Sequence, residues 1–245
     1  MNIIEKLNWL ESKSDMAWLW TDTETTGLGG HEKEQLTQIS SIATKYNFNL
    51  NEFTEIEAFD SKIKLTTDIK KRYATPNDNS RKILSLNNYG SGNYKYIKEK
   101  VVLDDFFIWI DKFPMSLLIF QNAPFDIDML SGRYGHKIKS EVFDTKLLIQ
   151  LYYIPLLQKM VEDDIEYQKI IDFIGTSKRD NGLISSSMSK IAPSLGVDMN
   201  NYHTAIDDCR ITMQMYVKII KILKEHGNID IYKYQLERLN SLKYE

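Results

Sequence analysis

Two acidic side chains, Asp22 and Glu24, follow an apolar run in the segment WTDTETTGL. The preceding letters MAWLW are typical of a buried β-strand, a short aromatic and aliphatic run bounded by polar residues. Residues two apart in a strand share a face at roughly 6.5–7 Å along the chain. At that separation two carboxylates repel by about 2 kcal/mol if the effective dielectric constant is about 20. The pair therefore needs a cation or solvent between its members.

Two later segments place further polar groups where predicted elements meet. NAPFD follows the apolar run MSLLIF and puts Asp126 in the first turn of a predicted helix, with Asn122 as the expected N-cap. HTAIDD puts His203 at the start of a long predicted helix and Asp208 one turn further in. A helix amino terminus favours anions and disfavours a protonated imidazole. Taken singly, each segment also fits a helix cap, a surface histidine or a chance pair of acids.

Taken together, the four carboxylates and the histidine predict a two-metal site for phosphoryl transfer. Two divalent cations about 3.5–4 Å apart would bring four positive charges to four negative ones. Hard oxygen ligands favour Mg²⁺ or Mn²⁺. A zinc site is not predicted, because the sequence has no cluster of cysteine and histidine.

The bulk composition is ordinary for a globular protein, with 245 residues, 42% hydrophobic and 27% charged. The single cysteine, Cys209, excludes an intrachain disulfide. Together with the lack of a signal-like amino terminus, this predicts a reducing, cytoplasmic environment. The longest apolar runs are too short to cross a bilayer, so no membrane association is expected.

Charge is distributed unevenly along the chain, whose net charge is −3. Residues 62–100 carry ten Lys and Arg against three Asp and Glu, a net +7, so the remainder carries −10. Four tyrosines lie among these cations. Cations interleaved with aromatic rings suit a single-stranded nucleic acid, because Lys and Arg bind phosphates while bases stack on rings. A solvated, partly helical surface insertion is the alternative.

The hydrophobic pattern predicts one mixed α/β domain. A short amphipathic helix is expected over residues 2–12, followed by an antiparallel meander of strands near 17–23, 35–47 and 54–59. Strand and helix then alternate, and a long helix starts at about 204. We expect an amino-terminal helical extension (1–16), a main domain (17–226) with the basic insertion (about 62–100), and a carboxy-terminal helix packed on it (227–245). Ile231, Tyr234 and Leu236 or Leu239 would form that helix's buried face.

The segments DTETTGL, NAPFD and HTAIDD, in this order, resemble the three motifs of the DEDDh family of 3′→5′ exonucleases. That family includes proofreading subunits of bacterial replicative polymerases and stand-alone enzymes that trim DNA or RNA. The resemblance extends from about Trp18 to Tyr216. It implies a ribonuclease-H-like fold, α/β, with a five-stranded mixed sheet flanked by helices.

The resemblance implies roles for individual residues. The four metal-binding acids match Asp22, Glu24, Asp126 and Asp208, and the general base, next to the substrate, matches His203. The histidine branch of the family has its histidine five residues before the last Asp, as here. The tyrosine branch needs Tyr where Thr204 stands. Helical spacing predicts that the neighbouring acids Asp128 and Asp207 are solvent-facing or supporting residues.

Substrate-binding residues are also implied by the resemblance. The turn formed by Thr25, Thr26, Gly27 and Leu28 would meet the terminal nucleotide through backbone groups, with Leu28 pressing on its base. Gly27 has an alternative explanation as a tight turn. Asn122 could hold substrate or cap its helix, and we favour the cap.

The sequence therefore predicts a metal-dependent 3′→5′ exonuclease that uses two Mg²⁺ or Mn²⁺ ions and acts on single-stranded DNA, releasing nucleoside 5′-monophosphates. One alternative is an enzyme that trims RNA. Another is a proofreading subunit whose partner is a polymerase or another replication protein. An inactive scaffold is disfavoured, because all five motif residues are present.

Overall fold

The computed structural model describes residues 1–73, 89, 94–178, 181–200 and 202–242. Within these ranges six strands form one mixed sheet flanked by helices. In chain order the strands are β1 (Ala17–Thr25), β2 (Leu36–Asn47), β3 (Glu52–Lys64), β4 (Ile97–Lys98), β5 (Ser116–Phe120) and β6 (Glu141–Asp144). Their order across the sheet is β4-β3-β2-β1-β5-β6.

The sheet confirms the predicted α/β fold class. Strands β1, β2 and β3 form the antiparallel meander, while β5 runs parallel to β1 and β6 parallel to β5. The sheet has six strands instead of the expected five, because the short β4 pairs in parallel with the end of β3. Since β1 and β5 are parallel neighbours, their carboxyl ends open at the same edge of the sheet.

Helices cover both faces of the sheet. They are α1 (Ile3–Glu11), α2 (Thr67–Tyr73), α3 (Glu99–Ile110), α4 (Ala123–Ser131), α5 (Thr145–Leu148), α6 (Ile154–Val161), α7 (Glu166–Ile174), α8 (Met188–Ser194), α9 (Ala205–Glu225) and α10 (Tyr232–Leu242). A π-helical turn, Ile149–Tyr153, joins α5 to α6, so the single helix expected over 145–160 changes its hydrogen-bonding pattern midway.

Two apolar cores hold these layers together. On one face, Trp18 and Trp20 of β1 pack edge-on against Tyr216 of α9, at 5.4 Å between ring centroids in both pairs. On the other face, Phe106 of α3 and Leu130 of α4 pack beneath the sheet. β1 contributes to both cores and is the central element that carries Asp22 and Glu24.

The carboxy-terminal helix packs only in part as predicted, since Ile231, directly before it, is 2% exposed as expected. Its buried positions are Gln235 and Arg238, whereas Leu236 and Leu239 are 40% and 38% exposed. Gln235 donates to the carbonyl of Leu151 and Arg238 to that of Ile184, at 2.7 and 2.8 Å. The expected apolar face was wrong for these leucines because two polar side chains satisfy backbone carbonyls of the domain.

About half of the predicted basic insertion lies outside the described residues, since 74–88 and 90–93 are not described. The described parts of that stretch are the end of β3, helix α2, residue 89, and the segment from Tyr94 into β4 and α3. Among the described helices, none has the length and apolar character of a membrane-spanning segment.

Candidate active site

The predicted acids come from three elements that meet at one edge of the sheet. Asp22 and Glu24 lie near the end of β1, Asp126 in the first turn of α4, and Asp208 in the first turn of α9. Asp126 and Asp208 are buried, while Asp22 and Glu24 are partly exposed. The buried acids therefore lie at the inner side of the site, and the partly exposed Asp22 and Glu24 lie at its mouth, the side that faces solvent.

Thr23 joins the first acidic segment to the second. Its backbone N–H and its Oγ1 both donate to Asp126 Oδ1, at 3.2 and 2.7 Å. α4 follows directly after β5, and β5 is the parallel neighbour of β1, so this contact follows from the topology. Asp126 is thus held by the residue that lies between Asp22 and Glu24 in the chain, a residue that sequence reasoning did not single out.

The third segment approaches from α9. The backbone N–H of His203 donates to Asp208 Oδ1 at 3.3 Å. Glu24, His203 and Asp208 each offer one ligand atom, and these atoms lie within 4.8 Å of one another. Asp22 and Asp126 lie outside that group of ligand atoms but interact electrostatically with its carboxylates.

The acids act on one another electrostatically. Desolvation raises the pKa of Asp22 well above its ordinary value, and Asp126, Asp208 and Glu24 raise it further. Desolvation also raises the pKa of Glu24 to about 8, an effect that Asp208 strengthens and Lys62 opposes. For the same reason the pKa of Asp126 and that of Asp208 rise to about 7. In the described part of the chain, Lys62 is the cation that acts on Glu24.

This donor set fits divalent cations. The four side chains supply hard carboxylate oxygens. Each negative charge disfavours ionisation of the neighbouring carboxyl groups. Positive charge placed among them would restore the ionised state of all four carboxylates. Asp22, Glu24, Asp126 and Asp208 are the residues that could hold such ions, and His203 lies beside two of them.

His203 has an unusual backbone, with a φ of +80° in the left-handed region. A non-glycine residue in that region is strained, and such strain concentrates at functional sites. Its ring lies 3.8 Å, centroid to centroid, from that of Tyr202. Partial burial lowers the pKa of His203, so the neutral imidazole is favoured near pH 7.

The turn after β1 is tightly organised. Thr25 Oγ1 donates to the carbonyl of Gly27 at 2.7 Å, and Thr26 Oγ1 donates to Glu34 Oε2 at 2.6 Å. A Cβ on Gly27 would lie 2.7 Å from the Glu34 carboxylate, so any other residue here would require the buried Glu34 side chain to shift. The two threonine side chains therefore shape the turn, and Leu28, 66% exposed, is the side chain that it presents outward.

Hydrogen bonds from α4 and the residues just after it hold the segment that follows this turn. Asp128 accepts hydrogen bonds from the backbone N–H of His31 and from its ring Nδ1, at 2.9 and 2.7 Å. Arg133 donates to the carbonyls of His31 and Glu34. Asp128, expected to be solvent-facing or supporting, supports the turn. Asp207 accepts from Thr204 Oγ1 at 2.6 Å and likewise stabilises the start of α9.

Asn122 does not cap α4 with its side chain. It occupies the N-cap position at a φ of +86°, but the cap is supplied by Asp144, which accepts from the backbone N–H groups of Asn122 and Ala123 at 3.1 Å each. Asp144 also accepts from Lys146 N–H at 2.8 Å and so caps α5. The predicted side-chain cap was wrong because a stronger, charged acceptor comes from the end of β6.

Gln38 is a further residue that sequence reasoning missed. It is 2% exposed on β2, and its Oε1 accepts from the backbone N–H of Ala205 at 3.4 Å. This contact ties β2 to the first residue of α9. The sequence gives little signal for it, because β2 carries no acidic residue and Gln38 reaches the acids only across the sheet.

Comparison with known proteins identifies the family of this chain. The family model RNase_T, described as an exonuclease, matches residues 19–216. Among solved structures, the chain is similar to cell-death related nuclease 4 (CRN-4), with 15% sequence identity and a TM-score of 0.41. The alignment covers 84% of this chain and 64% of that chain. No curated protein matches.

Proposed function

We propose, since this chain belongs to the exonuclease family, that it is a metal-dependent 3′→5′ exonuclease of the DEDDh type acting on single-stranded DNA. Its products would be nucleoside 5′-monophosphates. The observation that carries the proposal is the convergence of four mutually repelling carboxylates and one histidine at an open edge of the sheet.

Asp22, Glu24, Asp126 and Asp208 would hold two Mg²⁺ or Mn²⁺ ions. When bound, such ions activate a water molecule and stabilise the charge of the phosphoryl group and the leaving oxygen. The partly exposed Asp22 and Glu24 face the mouth of the site, and Thr23 fixes the orientation of Asp126.

His203 would accept the proton of the attacking water. The neutral ring that its lowered pKa favours has an acceptor nitrogen for this task. The proximity of one ring nitrogen of His203 to carboxylate oxygens of Glu24 and Asp208, within 4.8 Å, supports this role. The turn at Gly27 and Leu28 would seat the terminal nucleotide, with the exposed Leu28 side chain against its base.

The test is degradation of 5′-labelled and 3′-labelled single-stranded DNA, and of RNA of the same sequence, with Mg²⁺ or with EDTA. We expect a ladder of shortening 5′-labelled DNA in Mg²⁺ and none in EDTA, and slower loss of RNA. Asp22→Asn should abolish the ladder, while Asp105→Asn, an exposed acid on α3, should not.

Full activity of Asp22→Asn, or activity in EDTA, would overturn the metal assignment. Immediate release of the 5′ label as a mononucleotide would show that degradation runs 5′→3′ and would overturn the proposed direction. Faster loss of RNA than of DNA would identify an RNA-trimming enzyme, because the acids themselves do not distinguish the 2′-hydroxyl.

A further inference from the structure

A row of three side chains crosses the sheet beside the acids. Glu24 pairs with Gln38 in the register of β1 with β2, and Gln38 pairs with Lys62 in the register of β2 with β3. Directly opposite residues of neighbouring strands point to the same face. The backbones of Glu24 and Lys62 are therefore two strand spacings apart, roughly 10 Å, with both side chains on one face.

Lys62 is held in place by a buried network. Its Nζ donates to Gln38 Oε1, the same oxygen that accepts from Ala205 N–H. Gln38 Nε2 donates to Asp60 Oδ1 at 2.6 Å and to Ser40 Oγ at 3.2 Å. A lysine ammonium has three donors, and Gln38 accepts from one of them. The network thus orients the half-buried Lys62 and leaves its charge directed at the site.

An aromatic ring stands next to this ammonium. Lys62 Nζ lies 5.3 Å from the centroid of the Tyr94 ring, and Tyr94 is 54% exposed. A cation beside an exposed ring is the pair of groups that single-stranded nucleic acids need, since one contacts the phosphate and the other stacks on a base.

The positions of Lys62 and Tyr94 relative to the turn indicate which nucleotide of a bound single strand they would contact. The turn that carries Leu28 is fastened to α4, which packs on the sheet face opposite to α9. The row ending in Lys62 lies on the face of α9, because Gln38 contacts the first residue of that helix. Asp22 and Glu24 therefore share a sheet face with Lys62, whereas the turn that follows them in the chain is bonded to a helix on the opposite face.

We infer that Lys62 and Tyr94 form a subsite for the nucleotide upstream of the scissile bond, in which Lys62 binds its phosphate and Tyr94 stacks on its base. This inference rests on the proposed function, which seats the terminal nucleotide at the turn. The competing explanation is that Lys62 only offsets the charges of Glu24 and Asp60.

Two substrates separate these explanations. One is a single-stranded DNA oligonucleotide. The other is thymidine 5′-(p-nitrophenyl phosphate), in which p-nitrophenol replaces the upstream strand as leaving group. Steady-state kinetics in Mg²⁺ would be measured for the parent, Lys62→Met, Tyr94→Leu, and Lys45→Met as the control. Lys45 is an exposed lysine of β2 whose register partner is Ala17, at the far end of β1 from the acids.

We expect Lys62→Met and Tyr94→Leu each to raise KM for the oligonucleotide by about tenfold, the effect of removing one phosphate or stacking interaction. The rate of hydrolysis of the nitrophenyl ester should fall several-fold less than that of the oligonucleotide, because the ester has no upstream nucleotide for Lys62 and Tyr94 to bind. The slope of log(kcat/KM) against log[salt] should become shallower by about 0.7 for Lys62→Met, the value for one phosphate bound on a single strand. Lys45→Met should match the parent in all three measurements.

Equal losses on both substrates would overturn the subsite in favour of an effect of Lys62 through Glu24. Unchanged oligonucleotide kinetics in Lys62→Met would also overturn it. A parent protein that cleaves neither substrate would instead overturn the proposed function, which distinguishes the two failures.

Discussion

At the scale of single residues, Thr23 links two acidic segments through one side chain. Thr23→Val keeps the shape and β-propensity of the residue but removes the Oγ1 donor to Asp126. Residues that orient metal-binding side chains typically contribute 10–100-fold to affinity or activity. We expect kcat/KM on single-stranded DNA to fall by about 10–100-fold and the Mg²⁺ concentration for half-maximal activity to rise.

Thr21→Val is the matched control. Thr21 lies on the same strand, is 3% exposed, and shares a 2.8 Å hydrogen bond with Ser41 instead of an acid. Thr21→Val should lower the unfolding temperature without changing the Mg²⁺ concentration for half-maximal activity. If both variants shift the Mg²⁺ dependence equally, the hydrogen bond to Asp126 is not what orients that acid.

His203 combines a proposed chemical role with a strained backbone. Asn tolerates a positive φ better than most residues, so His203→Asn should fold with a free energy of unfolding within about 1 kcal/mol of the parent. Loss of a general base typically lowers the rate of the chemical step by 10²–10⁴-fold. Single-turnover rates on DNA should fall by that factor, and equilibrium binding of the oligonucleotide should persist. A rate within tenfold of the parent would contradict the role.

Among the secondary-structure elements, two helices share one capping residue, Asp144. Asp144→Ala removes the acceptor for N–H groups at the starts of α4 and α5. We expect the free energy of unfolding to fall by about 2 kcal/mol, at the upper end for removal of a helix cap. Asn122→Gly should cost less than about 0.5 kcal/mol, because glycine accepts the φ of +86° without strain and no side-chain cap is removed. Urea unfolding measures both, and the opposite ranking would restore Asn122 as the cap.

The elements themselves were largely predictable from hydrophobic periodicity. β1 and α9 stand out because their apolar residues repeat at strand and helix spacing. β3 was predicted over 54–59 but spans Glu52–Lys64, since its polar ends are held by pairing with β2 and not by apolar content. Tertiary pairing extends strands in a way that local pattern does not record.

The acids and the histidine of the candidate site were predictable, whereas the long-range contacts that support them were not. Asp128 contacts His31 across 97 positions of sequence, and Gln38 contacts Ala205 across 167. Such contacts depend on the topology of the sheet, which places α4 and α9 against the ends of β1 and β2. The capping role of Asp144 was missed for the same reason, since it acts on a helix whose first residue, Ala123, lies 21 positions before it.

At the scale of the whole molecule, the site opposes the stability of the fold. Desolvation and three neighbouring acids raise the pKa of Asp22 well above that of an unfolded aspartate, so at neutral pH folding must either bury its charge or protonate it, and both cost free energy. Asp22→Asn should therefore raise the free energy of unfolding in EDTA by at least about 1 kcal/mol. Calorimetry or urea unfolding in EDTA measures this gain.

Mg²⁺ should reverse that ranking. Binding to the folded state alone adds about 2.7 kcal/mol at 100 times the dissociation constant, so the parent should gain stability that Asp22→Asn does not. Asp105→Asn should behave as the parent in both conditions. Equal stabilisation of the parent and Asp22→Asn by Mg²⁺ would show that the ions bind elsewhere.

The unbroken ladder between β2 and β3 has a consequence for how the length of this chain can vary. From Gln38 to Ala43 the pairing with β3 is continuous, and the bulge lies beyond it, between Ala43 and Thr44. Removing one residue from β3 between that bulge and Lys62 would turn Lys62 to the other face. Removing two would preserve the face but pair Lys64 with Gln38. Variation in length here should therefore come in steps of two, whereas the hairpin at residues 48–51 can grow by single residues without changing which cation stands beside Glu24.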